Sequence, residues 1–270
     1  MIFQVRQWLP ERLLVVVADR SYAALERLAA CQGWPPPVTV VTRVRLDAAL
    51  YAPAYAHSAG RPGRPRKQGV RQPTLAQRLS APATVWQETT GRWDGGTTRS
   101  VRLAAPTAVW YHSGLPPVSI RWVLVTDPDG TFEPQALVSP DPDATPIQIG
   151  EWFVQRWQLA VTFEEARAHV GIEPQRQWSE KAILRTTPVL LGLFSWVSLF
   201  APHLLQGQEL PVRQAAWYTT ALPPFSDTLA LVRQHLWPAT ISWTSPEAAD
   251  VVKIPKALFA RLTDALAYAA

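Results

Sequence analysis

The sequence is short of the residues that many common catalytic and structural sites require. Its single cysteine, Cys31, excludes an internal disulfide and a zinc site built on cysteine pairs, and it fits a reducing cytoplasm. Its five histidines stand singly, without the spacing of metal ligands. No GxxxxGKS/T, GxSxG or HExxH pattern occurs, so the usual phosphate-binding loop, hydrolase elbow and zinc-protease helix are excluded.

A secretion signal is also lacking, because Arg6, Glu11 and Arg12 interrupt the apolar residues of the first segment. The longest uncharged run extends from Thr187 to Leu205 and approaches the length of a membrane span, but two prolines interrupt it. We therefore expect a buried helix in this run, a cytoplasmic protein and no membrane partner.

Acidic residues are scarce in one long segment of a moderately basic chain. The 26 basic and 21 acidic residues give a net charge of +5 and a pI near 9.7, a balance that favours anionic partners such as nucleic acid. Residues 48–87 contain six basic residues and no Asp or Glu. At their centre, "GRPGRPRKQG" (60–69) predicts a basic loop, because Gly and Pro disfavour regular structure.

A strand, a helix and a second strand follow one another near the start. "LLVVVAD" (13–19) is an aliphatic run without alternation, which predicts a strand buried on both faces. A helical pattern over 21–31 contains Cys31 as a buried thiol, and "VTVVTRVR" (38–45) predicts the next strand. This order indicates a βαβ unit.

Short strand-like runs occupy the following hundred residues, with "DPDG" (127–130) as a turn between the last two. The runs are "ATVWQETTGRW", "TRSVRLAAPTAVWYH", "VSIRWVLVTD" and "FEPQALVS". After Pro146 the pattern is helical. A β-rich segment is therefore expected between the βαβ unit and a helical C-terminal region.

Two features of the chain are candidates for a role in catalysis or binding, and each also has an ordinary structural explanation. Asp19 ends a strand at its carboxyl edge, where open α/β sheets place their sites, but it is also a suitable cap for the next helix. One continuous helix over 147–170 would align Phe153, Arg156, Ala160, Glu164 and Arg167 on one face. A solvated face with a Glu164–Arg167 contact is the alternative there.

The same stretches resemble the DDE transposases of bacterial insertion sequences, in the branch with a Tyr-Arg-Glu-Lys signature. That signature places two, three and six residues between successive members, and Phe153, Arg156, Ala160 and Arg167 have the same gaps. Supporting stretches include "VVVADRSYAALERLAA", "GRPRKQG" and "QRQWSEKAILRTTPVLLGLFS", so the resemblance extends over nearly the whole chain.

The resemblance implies a ribonuclease H-like core on which three carboxylates hold two Mg²⁺ or Mn²⁺ ions for phosphodiester chemistry. It makes Asp19 the second carboxylate and places Ala160 where the third, a Glu, belongs. Glu164 is a weak substitute, because it lies one helical turn further on, about 6 Å along the axis. The strands that carry the first carboxylate are expected to be missing, which would leave the Asp19 strand with an unpaired edge.

The DNA contacts that the resemblance implies do not depend on the missing carboxylates. Phe153 in place of Tyr loses a hydroxyl, and Arg167 in place of Lys keeps the charge. The resemblance assigns phosphate contacts to two signature arginines, base stacking to a tryptophan and backbone contacts to the basic loop. The residues are Phe153, Arg156, Trp157, Arg167, Arg64, Arg66 and Lys67.

The resulting prediction is an α/β protein with a partial ribonuclease H-like core, a β-rich insertion and a helical C-terminal region. Its segments are the partial core (1–45), the basic loop and insertion (46–148), the catalytic-type and core helices (149–206) and a helical tail (207–270). We expect a nucleoid-associated, catalytically defective transposase that binds element-end DNA and pairs with itself or with an intact transposase. A non-catalytic binding or inhibiting remnant and an unfolded relic are the alternatives.

Overall fold

A computed structural model of the chain describes residues 1–54, 66–93, 96–173, 178–210, 212–213, 223–243 and 254–268. The chain forms two compact units, Met1–Trp157 and Gln158–Ala270. The first unit contains a sheet and the second is helical in its described residues.

The first unit is built on an eight-stranded sheet within the described residues. The main path has the order β1-β2-β8-β7-β5-β4, while β3 pairs with β6 and β6 pairs with β7. The strands are β1 (Val15–Ala18), β2 (Thr39–Arg43), β3 (Leu50–Tyr51), β4 (Gln87–Arg92), β5 (Thr98–Ala104), β6 (Thr107–Trp110), β7 (Val118–Thr126) and β8 (Gln135–Ser139).

The predicted βαβ unit is confirmed. Strands β1 and β2 are parallel, with Val15 opposite Thr39, and helix α2 (Leu25–Gln32) connects them. Helix α2 buries Leu25, Leu28 and Cys31 on one face, as its apolar spacing predicts. Burial also raises the pKa of the Cys31 thiol.

The prediction that β1 is buried on both faces is confirmed only in part. Val16 packs against one core cluster and Val15 and Val17 against the other, but none of the three is fully buried. Within the described residues β1 pairs only with β2, so it lies at one edge of the sheet, and Val15, Val16 and Val17 are half-buried. The expected unpaired edge of this strand is therefore present. An edge strand leaves one row of backbone groups without a neighbouring strand, which is a route to association with another chain.

The predicted β-rich segment and the βαβ unit share one sheet. Strand β8 lies between β2 and β7 and is antiparallel to both, with Thr42 opposite Val138. All four strand-like runs contain strands, and "DPDG" forms the expected turn, in which the Gly130 amide donates to the Asp127 carbonyl. The fold is mixed α/β with an open, mostly antiparallel sheet.

Alternating residues of the central strands bury both faces of the sheet. On one face, Val40 and Trp122 belong to the same cluster as the residues of α2. On the other, Val41 and Val123 pack with Ile149 of helix α4 (Pro146–Val154). Successive side chains of a strand point to opposite faces of the sheet. A strand in a sheet that is covered on both faces therefore consists of consecutive apolar residues.

Two further helices, α1 (Ile2–Trp8) and α3 (Leu75–Ser80), complete the first unit. Helices α3 and α4 each begin with a capping box, in which a threonine accepts from the third helical amide and a glutamine accepts from the threonine amide. The pairs are Thr74 with Gln77 and Thr145 with Gln148. These caps determine the residue at which each of the two helices begins.

The second unit contains most of α5 (Trp157–Val170) and helices α6 (Glu180–Leu205), α7 (Phe225–Trp243) and α8 (Lys256–Ala267). The predicted helical character is confirmed for these residues. Helices α6 and α7 pack through a small cluster that includes Val197, Phe225 and Val232.

The prediction of a buried helix over 187–205 is wrong. Among the described residues of α6 only Val197 and Ala201 are buried, and Trp196 and Leu199 are 62% and 67% exposed. By length and apolar composition α6 passes the test for a membrane-spanning helix, and only 11% of its most apolar window is buried. This is weak evidence for a span, and the absence of a membrane partner stays a prediction.

Half-buried Tyr268 makes alkaline pH a probe of packing in the second unit. Burial, followed by the hydrogen bond with Asp227, raises the pKa of Tyr268 to about 12, above the ordinary 10.0. The folded state therefore favours the neutral phenol. Its contribution to stability is complete below pH about 10 and is lost as the pH rises towards about 12.

We expect Tyr268→Phe to reduce the loss of thermal stability between these pH values, measured by melting curves followed by circular dichroism. Tyr22→Phe is the matched control, because Tyr22 is 47% exposed and lies in the first unit. An alkaline loss that is equal in Tyr268→Phe and the unmodified chain would contradict the assignment.

Candidate nucleic-acid interface

Asp19 lies at the carboxyl end of β1, as predicted. Its carboxylate is exposed and accepts a hydrogen bond from the Arg20 amide at 2.8 Å, so it caps a single 3-10 turn, Arg20–Tyr22. Its carbonyl accepts from the Thr42 hydroxyl at 2.8 Å, which ties it to the adjacent strand β2. Asp19 therefore caps this turn and not the predicted helix, because α2 begins only at Leu25 with Ala24 as its N-cap. The second carboxylate oxygen of Asp19 makes no hydrogen bond with the described residues.

The predicted continuous helix over 147–170 is wrong. Helix α4 ends at Val154 and α5 begins at Trp157. Between them the Arg156 amide donates to the Phe153 carbonyl at 3.1 Å, a tighter contact three residues back that interrupts the helical ladder. The five predicted residues therefore do not share one helical face. Phe153 lies in α4, whereas Ala160, Glu164 and Arg167 lie in α5.

The structure brings three of the predicted residues together at this break. The Arg156 guanidinium lies 5.4 Å from the centre of the Phe153 ring and 4.7 Å from that of Trp157. Phe153 is buried, whereas Trp157 is half exposed. Arg156 thus makes cation–π contacts with both rings at the point where the helix is interrupted.

Helix α5 carries the other members of the predicted stripe on exposed positions. Ala160, Glu164 and Arg167 are all exposed, and Ala166 is the buried residue of the helix. Arg167 pairs with Glu173 at 2.7 Å rather than with Glu164, so the predicted Glu164–Arg167 contact is wrong. An exposed ion pair of this kind contributes little to stability, and it leaves the Arg167 charge accessible.

The predicted metal ligands supply few oxygen donors. Asp19 offers one carboxylate, Ala160 offers a methyl group, and Glu164 belongs to the second unit and is exposed. Within the described part of the chain, no three His, Cys, Asp or Glu side chains lie together. A methyl group does not coordinate Mg²⁺, which prefers oxygen ligands.

Arg66 and Lys67 line a cleft of about 780 Å³. Tyr111 and Ser113 line the same cleft, and its lining residues within the described chain include no acid. Both cationic side chains are exposed. Arg64 of the same predicted loop lies outside the described residues. We call this cleft the basic groove: Arg66, Lys67, Gln68, Gly69, Tyr111, Ser113 and Gly114.

Backbone hydrogen bonds hold the basic groove against the sheet. The Gly69 amide donates to the Ala52 carbonyl at 2.9 Å, and the Ala52 amide donates to the Val70 carbonyl at 2.8 Å. Tyr51 of β3 meets Tyr111 edge to face at 6.5 Å. The two cations are therefore carried on a segment attached to β3 and placed next to an aromatic side chain.

A cluster beside Phe153 was not anticipated from the sequence. Trp93 and Phe132 stack at 5.5 Å, and Arg99 lies over the Phe132 ring while pairing with Asp127 at 2.9 Å. The pKa of Asp127 lies below its usual range. The largest cause is the hydrogen bond from the Thr131 hydroxyl, and the backbone amides of Thr131 and Asp129 and the charge of Arg99 also lower this pKa.

Three members of this cluster line a cavity of about 240 Å³ together with Phe153 and Trp157. They are Trp93, Arg99 and Phe132. Asp127 had been assigned only to a turn, and its partner Arg99 lies 28 residues earlier on another strand. No local pattern reports a contact over that separation. Searches of protein-family models and of curated proteins find no match to this chain.

Proposed function

We propose that the chain is a DNA-binding member of the DDE transposase lineage that does not itself cleave DNA. In this proposal the sheet of the first unit is a partial ribonuclease H-like core. The partners are element-end DNA and a second transposase chain, in the cytoplasm at the nucleoid. The signature spacing of Phe153, Arg156, Ala160 and Arg167 supports the lineage.

The basic groove is the observation that carries DNA binding. Its Arg66 and Lys67 side chains are exposed, its described lining has no acid, and Tyr111 offers a ring beside them. Phosphate oxygens attract Arg and Lys in any nucleic acid, while an aromatic ring stacks on a base only where that base is unpaired. A groove with these groups fits a nucleic-acid backbone better than a neutral small molecule.

The donor set argues against cleavage. Two catalytic divalent ions about 4 Å apart need several carboxylate oxygens, and the residues at the implied positions supply Asp19 alone. These residues do not fit the metal pair, so no step of the reaction is assigned to it. DNA binding requires only the cations and rings, and it is unaffected by the alanine at position 160.

Salt dependence tests the groove directly. Binding of a duplex by the full chain should weaken as salt rises, because each neutralised phosphate releases counterions. The double variant Arg66→Ala/Lys67→Ala should lower the slope of log affinity against log salt by about 2, since each contact contributes about 0.9. Fluorescence anisotropy with a labelled duplex measures both quantities.

The matched control removes one Lys and one Arg elsewhere. Lys256→Ala/Arg261→Ala changes two exposed residues of α8 and should leave the slope nearly unchanged. An equal loss in both double variants would mean that net charge, not the basic groove, drives binding. Metal-dependent nicking of supercoiled DNA that disappears in Asp19→Ala would overturn the non-cleaving part of the proposal.

A further inference from the structure

A second cleft lies on the first unit, at the end of the sheet where β2 begins. Its volume is about 620 Å³, and it is bounded by the end of α1, the start of β2 and the segment that follows β8. Five of its lining residues are prolines, which have no amide N–H to donate. We call it the Arg6 cleft, and its charged lining residues are Arg6, Glu11, Arg12, Asp141 and Asp143.

Arg6 is the unusual group in this cleft. It is only 2% exposed, yet no carboxylate of the described residues lies within ion-pairing distance of it. One terminal nitrogen donates to the Leu9 carbonyl, and the Nε–H has no acceptor. A buried cation without a counter-charge is costly to a fold, and an unmet buried donor adds to that cost.

The other polar groups of the cleft do not neutralise Arg6. One Asp141 oxygen accepts from the Thr39 hydroxyl at 3.1 Å, and the other accepts from the Asp143 amide at 2.9 Å. The Gln32 amide donates to the Pro140 carbonyl at 2.9 Å. These polar groups are hydrogen-bonded to neutral partners, while the Arg6 guanidinium has no counter-charge among the described residues.

Exposed acids surround the mouth of the cleft. Glu11 and Asp143 are both exposed lining residues, and Asp141 is half-buried. Arg12 is also an exposed lining residue, so the three acids leave an excess of negative charge around the opening. Their negative charge repels a multiply charged anion more strongly than a singly charged one, because Coulomb energy scales with the product of charges. The floor of the cleft therefore favours an anion, and its rim favours one of low charge.

We propose that the Arg6 cleft binds the carboxylate of a small ligand, with Arg6 as the group that holds it. The planar guanidinium matches a carboxylate, which supplies both the missing charge and a hydrogen-bond acceptor. A phosphate group carries more charge past Glu11 and Asp143 and binds more weakly. This site is separate from the basic groove and does not depend on DNA binding.

Titration of the full chain with acetate tests the proposal. The readout is the arginine Nε–H signal in a ¹H–¹⁵N spectrum that disappears in Arg6→Lys. Acetate should shift this signal saturably, and phosphate at equal ionic strength should need a concentration about tenfold higher or more, as the charge argument requires. Arg6→Lys should weaken acetate binding about tenfold or more, because the fork of donors is lost.

Two neighbouring variants make the outcome specific. Arg12→Lys, at an exposed lining residue, should leave the acetate response unchanged, whereas Asp143→Asn should strengthen the phosphate response several-fold by removing a rim charge. If Arg6→Lys does not fold, the Nε–H signal is assigned through its bonded connection to the Arg6 backbone amide, and the acetate titration with Asp143→Asn still decides. No saturable acetate shift, or a phosphate response equal to that of acetate, would overturn the proposal.

Discussion

Replacing Trp122 with alanine is expected to lower the free energy of unfolding of the first unit by about 3–5 kcal/mol, the usual cost of truncating a buried large aromatic. Trp122 is 0% exposed at the centre of β7 and packs in the cluster on the α2 face of the sheet. The Arg78 guanidinium also lies 5.1 Å from its ring centre. Truncation would leave a large cavity between the sheet and its covering elements.

Urea unfolding followed by circular dichroism measures this loss. Trp178→Ala is the matched control, because Trp178 is 98% exposed and its removal should change stability by no more than about 0.5 kcal/mol. Trp122→Phe should cost less than Trp122→Ala, since Phe fills part of the space and removes an indole N–H that has no partner. Equal stability of the two alanine variants would contradict the core assignment.

Gly69→Ala is expected to lower stability by about 1–3 kcal/mol and to disrupt the basic groove, because overpacking against backbone forces the chain to move. A Cβ at this position would lie 2.5 Å from the Pro53 carbonyl oxygen and 2.9 Å from that of Ala52. These are backbone atoms that do not rotate away. The segment would separate from β3, and Arg66 and Lys67 would lose their support.

Gly150→Ala is the matched control, with the opposite expected sign. Gly150 lies in α4, and a Cβ there meets no atom within 4 Å. Alanine in a helix is favoured over glycine by about 0.5–1 kcal/mol, so stability should rise and DNA binding should not change. Unchanged DNA affinity and salt slope in Gly69→Ala would show that the segment at Gly69 does not support the binding surface.

Local patterns were sufficient for several elements. The aliphatic runs before Asp19 and before Arg43 became parallel strands joined by a helix, and the "DPDG" sequence became a turn. Such features depend on residues within one or two turns of each other, where backbone preference and apolar period act together. Cys31 was likewise predicted as buried, because it lies on the apolar face of its own helix.

Other predictions were wrong where contacts beyond the local sequence pattern determine the structure. The helix over 147–170 has suitable periodicity throughout, but the contacts of Arg156 with Phe153 and Trp157 accompany a break that periodicity does not report. The run in α6 is apolar enough for a core, yet burial depends on what packs against each side. An apolar pattern indicates which side chains favour burial. It does not indicate how many other side chains pack against each of them in the folded protein.

The sequence by itself determined the βαβ start, the basic segment, the alanine at position 160 and most helices and strands. Only the tertiary structure decided that β8 enters between β2 and β7, that β1 lies at an edge, and that Arg6 is buried without a counter-charge. The physical reason is separation along the chain. Strand order and cleft walls depend on pairings between residues far apart, whose free energies are set by the whole arrangement and not by any one segment.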